Sequence, residues 1–283
     1  PYTSPNNNTS LLLFLGVFRA LAIDYLWVRA IEKREEGKFF EELAILQLLT
    51  QLQPKSPTIW MDLAYNLTYN ISLSFPQKEK QWPWIEKGLL LLRKAIQKNP
   101  KNPQLKQELA YYLYDRLSRN ERGQRRKNPH YLTYFQKKFL QHPQLNPQHQ
   151  HPYYLSLYWA QKAIQQFDHV SAIAESLLLY NTQKLVQIEK SKQQYQLILQ
   201  LTTQAIQRIP TLQSNVYPLY HHLSRIFARL LLERALAYLH LGKQQHALQD
   251  LKSALHTAPD YPKVALPAKY YLKQLSKSTI KRN

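Results

Sequence analysis

The chain contains no cysteine, and that absence removes disulfides, thiolate metal sites and cysteine nucleophiles together. It leaves the redox compartment open, because a cysteine-free protein tolerates either environment. Glycine is nearly as scarce. Its five residues stand far apart at 16, 37, 88, 123 and 242, so a Gly-rich phosphate-binding loop cannot form. No His-Glu-x-x-His and no Gly-x-Ser-x-Gly sequence occurs, and no alternating strand pattern with hairpin turns. The apolar run Leu11–Phe18 is short, and Arg19, Asp24 and Arg29 interrupt the residues after it. A spanning helix needs about twenty apolar residues, so this is not a complete one. Together these absences argue against an enzyme and imply no cofactor.

What is present is helix composition over 283 residues, enough for a sizeable core: Leu, Gln, Lys and Tyr abound. The charge is uneven. Lys and Arg number 38 against 18 Asp and Glu, for a net +20, yet residues 1–60 hold six of each and are neutral. The remainder carries the whole excess, which favours anionic partners: an acidic protein face, anionic lipid or nucleic acid.

Periodicity and breakers divide the chain. Residues 1–10 read as a polar leader and 276–283 as a basic tail. The first helix runs from about residue 11 to Glu36 and ends at Gly37, suited to the left-handed position after a helix. Phe39–Leu52 is the second, stopped by Pro54. Next come helices from Thr58 to about Leu73, from Trp84 to Lys98 with Pro83 in its first turn, and from Pro103 to about Leu117. Arg116–Lys138 is the most basic segment. QHPQLNPQHQHP, residues 141–152, is a loop and the expected boundary between units at 11–140 and 153–275. Tyr153–Ile209 has neither Gly nor Pro and must hold at least two long helices, divided near Asp168 and again near 190–194. Val216–Leu241 and Gln244–Thr257 flank Gly242, and a last helix, Tyr261–Gln274, contains Pro267 as a possible kink.

The prolines set a repeat. With Pro54, Pro100, Pro210 and Pro259 in register, Leu49, Ala95, Ala205 and Ala254 stand five residues earlier, and Glu42, Gly88, Ile198 and Ala247 twelve earlier. Small residues at such positions let the two helices of a hairpin approach closely, and each Pro hands one hairpin to the next. The predicted architecture is all-α: an α-solenoid of stacked antiparallel hairpins with about ten to twelve helices.

The C-terminal unit, LLERALAYLHLGKQQHALQDLKSALHTAPDYP, resembles a tetratricopeptide repeat: Ala235, Tyr238, Gly242, Ala247, Leu251, Ala254 and Pro259 occupy that motif's marked positions. The first unit matches at Ala30, Gly37, Leu46 and Pro54 but has Glu42 where a small residue is usual. Middle units match in their second helices, as at Gly88, Ala95 and Pro100, and insertions are expected between 115 and 195. The N-terminal third, through Asp24-Tyr25-Leu26-Trp27-Val28-Arg29-Ala30, Trp60, Tyr65-Asn66 and Trp82-Pro83-Trp84, resembles bacterial tetratricopeptide-like proteins of uncharacterised function. That resemblance implies an anchor or export signal upstream of Pro1, hence membrane association on the non-cytoplasmic, periplasmic side. It supplies no activity.

Several residues bear on binding. Tyr is enriched, with 20 residues, many on first-helix segments that line the concave face of such a stack. The candidates for partner contact are Arg116, Arg119, Arg122, Arg125, Arg126, Lys127, Tyr131, Tyr134, Tyr217 and Tyr220. Arg19, Asp24 and Arg29 lie about 140° apart on an otherwise apolar first helix, which predicts a structural charge network in a helix packed on several sides. His142, His149 and His151 read as filling a polar loop rather than binding metal, and His221-His222 as ordinary surface or groove residues. The functional expectation is a non-catalytic scaffold or assembly subunit of a larger complex, binding a protein with an acidic surface. The alternative is a basic solenoid that binds an anionic polymer or membrane.

Overall fold

A computed structural model describes residues 7–117, 132–169, 171–208 and 218–280. Among them are twelve α-helices and no strand. The chain forms α1 (Asn7–Glu35), α2 (Phe39–Leu52), α3 (Pro57–Tyr65), α4 (Lys78–Lys98), α5 (Pro103–Asp115), α6 (Tyr134–Leu140) and α7 (Pro152–Ile164). Then come α8 (Ala172–Ser191), α9 (Tyr195–Arg208), α10 (Pro218–His240), α11 (Gln244–Thr257) and α12 (Pro262–Ile280). A π-helical turn, Asn66–Ile71, prolongs α3.

Punctuation residues do what their chemistry dictates. Gly37 and Gly242 take φ of 71° and 74°, where a Cβ is strained, and so reverse the chain between α1 and α2 and between α10 and α11. Prolines open α3, α5 and α7, where the missing N–H has no helical partner to lose. Asn102 caps α5 through Leu105 N at 2.9 Å. A reciprocal Thr133–Gln136 pair caps α6.

The helices pack as hairpins α1/α2, α3/α4, α5/α7, α8/α9 and α10/α11, with α12 closing the stack. First helices also touch one another: α3 on α5, α5 on α8, α8 on α10 and α10 on α12. Second helices show no comparable mutual packing among the described residues, so the first helices form the inner, tighter layer. The small residues of the repeat register lie inside. Ala95, Ala205, Ala235, Ala247 and Ala254 are wholly buried. The all-α solenoid of hairpins is therefore the observed fold; Pro210 falls outside the described residues.

Four differences from the sequence reading are physical. First, α7 packs along α5, so two helices that the sequence assigns to either side of the Pro/His-rich loop are paired. The short helix α6 lies against α4 and α7, burying Phe135 and Phe139 beside Trp82, Ile85 and Leu89. Second, α4 starts at Lys78, so Pro83 is inside the helix, one turn beyond the expected place. Gln77 O accepts from both Lys80 N and Gln81 N, and this supplies the extra turn. Third, α3 passes into a π-turn that no 3.6-residue pattern announces. Asn66 donates to Phe39 O at 2.9 Å there, tying the turn to the start of α2.

Fourth, α1 is packed on one side only. Ile23 and Ala30 are buried against α2 and α3, while Phe18, Leu21, Tyr25, Val28 and Ile31 are about half exposed or more. Among the described residues its charges Arg19, Asp24 and Arg29 do not pair with one another. Arg29 pairs with Glu32 of its own helix at 2.8 Å, Arg19 donates to Leu52 O, and Asp24 is exposed.

Candidate protein-binding surface

The inner layer brings tyrosines together in two runs. On the N-terminal hairpins, Tyr65 stacks on Tyr69 with ring centroids 5.0 Å apart, and Tyr69 meets Tyr112 edge-on at 5.2 Å. Further along, Tyr114 of α5 stacks on Tyr180 of α8 at 5.9 Å, and Tyr180 meets His222 of α10 at 5.9 Å. Each run crosses from one first helix to the next. Tyr112 is core, whereas Tyr65 is 46% exposed and Tyr69, Tyr111, Tyr114 and Tyr180 are partly open. Rigid, amphipathic rings of this kind suit a surface that contacts another protein.

Carboxylates accompany the first run. Burial pushes the Asp62 carboxyl up, against the pull of Arg34 in the opposite direction. Burial also raises Glu108, and the Tyr112 hydroxyl draws it back down. The Tyr69 phenol is held well above its ordinary range, first by burial and then by Asp115, which accepts its hydrogen bond at 3.2 Å. Half-exposed tyrosine beside partly buried carboxylate, in a chain of net +20, is the main polarity contrast of this layer.

The basic candidates are distributed otherwise. Arg116 is 5% exposed, so it is a core residue and not a partner contact. Its guanidinium donates to Thr68 O at 3.1 Å and to Ser72 Oγ and Gln81 Oε1 at 3.0 Å, and lies over the Phe135 ring. The acceptors freed by the π-turn and the start of α4 draw it inward, a use of arginine that sequence position cannot reveal. Tyr134 begins α6, half-buried, with Lys138 over its ring. Arg119, Arg122, Arg125, Arg126, Lys127, Tyr131 and Tyr217 lie outside the described residues, and so does the side chain of Tyr220.

The loop histidines diverge. His142 faces Glu86 of α4 at 3.1 Å and accepts from Leu145 N, His149 bonds Leu140 O, and His151 caps α7. Glu42, the departure from the repeat's small residue, is wholly buried and held by Arg34 at 2.6 Å. Among the described residues no group of His, Asp or Glu is arranged to hold a metal.

The sequence reading missed a groove on the outer layer. Between second helices α9 and α11, above α10, lies a cleft of about 580 Å³ lined by Ile206, Phe227, Leu231, Lys252, Ser253 and His256, among others. Arg234 and Asp250 form a bidentate pair on its wall, both bonds 2.7 Å. Its only sequence signal is the partly apolar flank of α10, which looks like ordinary core.

The class defined by these features is an all-α stack of antiparallel helical hairpins. No protein-family model matches the chain, and no curated protein matches it. Among solved structures, the crystal structure of MamA protein aligns over 86% of this chain and 94% of its own, at 13% identity and a TM-score of 0.41. A likeness that loose carries no further weight.

Proposed function

We propose that the protein is a non-catalytic scaffold that binds another protein along its inner layer. The observation that carries this reading is the pair of tyrosine runs, Tyr65–Tyr69–Tyr112 and Tyr114–Tyr180–His222, each bridging neighbouring first helices. The net charge of +20 supports a partner with an acidic surface elsewhere on the molecule. The test is capture from native extract on the immobilised chain. Tyr65→Ala with Tyr180→Ala should lose what the native chain retains, while Tyr158→Ala, on the outer helix α7 and 50% exposed, should not. Equal loss in both variants would remove the inner layer from the mechanism.

A second reading is favoured by α1. Its stripe of Leu21, Tyr25, Val28 and Ile31 is about half exposed or more, which supports docking against a membrane surface. No helix among the described residues is long and apolar enough to cross a membrane. Co-sedimentation with anionic vesicles tests the idea. Leu21→Glu with Val28→Glu should reduce it at constant salt, whereas loss with salt alone would assign binding to the basic surface.

A further inference from the structure

The outer layer contains one groove that is filled by the chain itself and another that no described residue fills. Between α4 and α7, above α5, the short helix α6 lies with Phe135 and Phe139, four residues apart, turned into the core and Lys137 and Lys138 turned out. Its seating is secured from α4, where Arg93 donates to Gln144 O and Glu86 holds His142, and from the turn after α5, where Leu117 O accepts from Thr133 Oγ1 at 2.6 Å. The cleft between α9 and α11 stands in the same relation to its hairpins: two second helices apart, a first helix as floor. Phe227 and Leu231 of its floor and Ile206 of its α9 wall are apolar, and Phe227 and Ile206 are only partly covered. No described element lies where α6 lies in the other groove.

The rim of this cleft carries positive charge. The one carboxylate in the lining, Asp250, is fully engaged by Arg234, and Lys252 and His256 stand on the rim from α11, the lysine exposed. A helix like α6 would set Lys137 and Lys138 near that cation; a helix with carboxylates there would be drawn to it.

We propose that the groove between α9 and α11 docks a short amphipathic helix of another protein, with two aromatic side chains four residues apart on its inner face and acidic residues beside them. This rests on the protein-binding reading and assigns it a second, outer site with its own partner chemistry. The helix is recognised as α6 is recognised within the chain, by two rings inserted between second helices, with the sign of the flanking charge exchanged.

The probe is a labelled peptide of residues 132–141 carrying Lys137→Glu and Lys138→Glu, titrated into the full chain by fluorescence anisotropy and compared with the unaltered peptide. The acidic peptide should bind saturably and about two- to fivefold more tightly than its lysine parent, the range of one exposed ion pair. Ser253→Trp, which fills the groove from its half-buried wall, should abolish binding with an unchanged thermal melt. Lys252→Glu, at an exposed position, should reverse the preference between the two peptides and keeps the idea testable if Ser253→Trp disturbs folding. Failure to saturate, binding indifferent to Ser253→Trp, or a preference unmoved by Lys252→Glu would each overturn the proposal. Tyr65→Ala and Tyr180→Ala score the inner layer separately, so failure of one site is not confused with failure of the other.

Discussion

Thr68 and Gly88 meet so closely that no side chain fits between them. A Cβ on Gly88 would lie 2.0 Å from Thr68 Oγ1 and 3.1 Å from the carbonyl oxygen of Ala64. The π-turn and α4 therefore pack backbone to backbone, and both Thr68 and the facing stretch of α4 are buried.

Gly88→Ala should consequently destabilise the protein by about 1–3 kcal/mol, the usual cost of overpacking, although alanine is the better helix former. Thr68→Ala removes the nearest atom and should restore part of the loss in the double variant, leaving the contact to Ala64 O. Urea denaturation of the four chains measures the coupling. Stability equal to or above the native chain in Gly88→Ala alone would mean that the two helices separate at little cost.

Arg116 gives a second prediction, opposite in kind to the one its charge suggests. Its three acceptors and the Phe135 face are spread around a planar fork that an ammonium cannot match. Arg116→Lys should cost about 3 kcal/mol through unpaired buried polar groups, read as a lowered denaturation midpoint. Any capture lost by this variant should return under stabilising conditions, because the side chain contributes to the fold and not to a surface.

How much of the fold was legible in the sequence depends on the way each residue acts. Gly37, Gly242 and the buried alanines act through φ or small volume, properties of the residue type itself, so hairpins and register could be read directly. Arg116 and Asn66 act through acceptors created by the π-turn, and a 3.6-residue pattern carries no sign of that turn. The pairing of α5 with α7 was hidden for a different reason: the intervening segment breaks the repeat spacing, and the buried contacts, such as Ala110 with Ala160, involve residues that look alike in any helix. The outer groove is an emptiness between helices and has no residue of its own to announce it.

Glu175 carries the pH prediction. It is 4% exposed, its Oε2 has no hydrogen-bond partner, and burial pushes its carboxyl above the ordinary range. A raised folded-state value means that the native chain binds the proton more tightly than the unfolded one. This contribution to stability is present below the unfolded value and is lost as pH rises through the folded value. Glu175→Gln, neutral at all pH, should therefore gain melting temperature over the native chain toward neutral pH and lose that advantage in acid. A constant difference between the two chains from about pH 4 to 8 would show that the carboxyl ionises without penalty.

Ser156 tests the hairpin that the insertion interrupts. Its hydroxyl donates to Ala110 O of α5 at 2.7 Å and accepts from Asn181 Nδ2 of α8 at 2.8 Å, so one buried oxygen on α7 joins three helices. Ser156→Ala leaves the Ala110 carbonyl and one amide proton short of a partner, and should cost about 1–2 kcal/mol. If α5 and α7 are mates, amide protons on both should lose hydrogen-exchange protection together in this variant, since they open as one unit. Loss confined to α7 would mean that it opens apart from α5 and would favour a boundary at the Pro/His-rich loop.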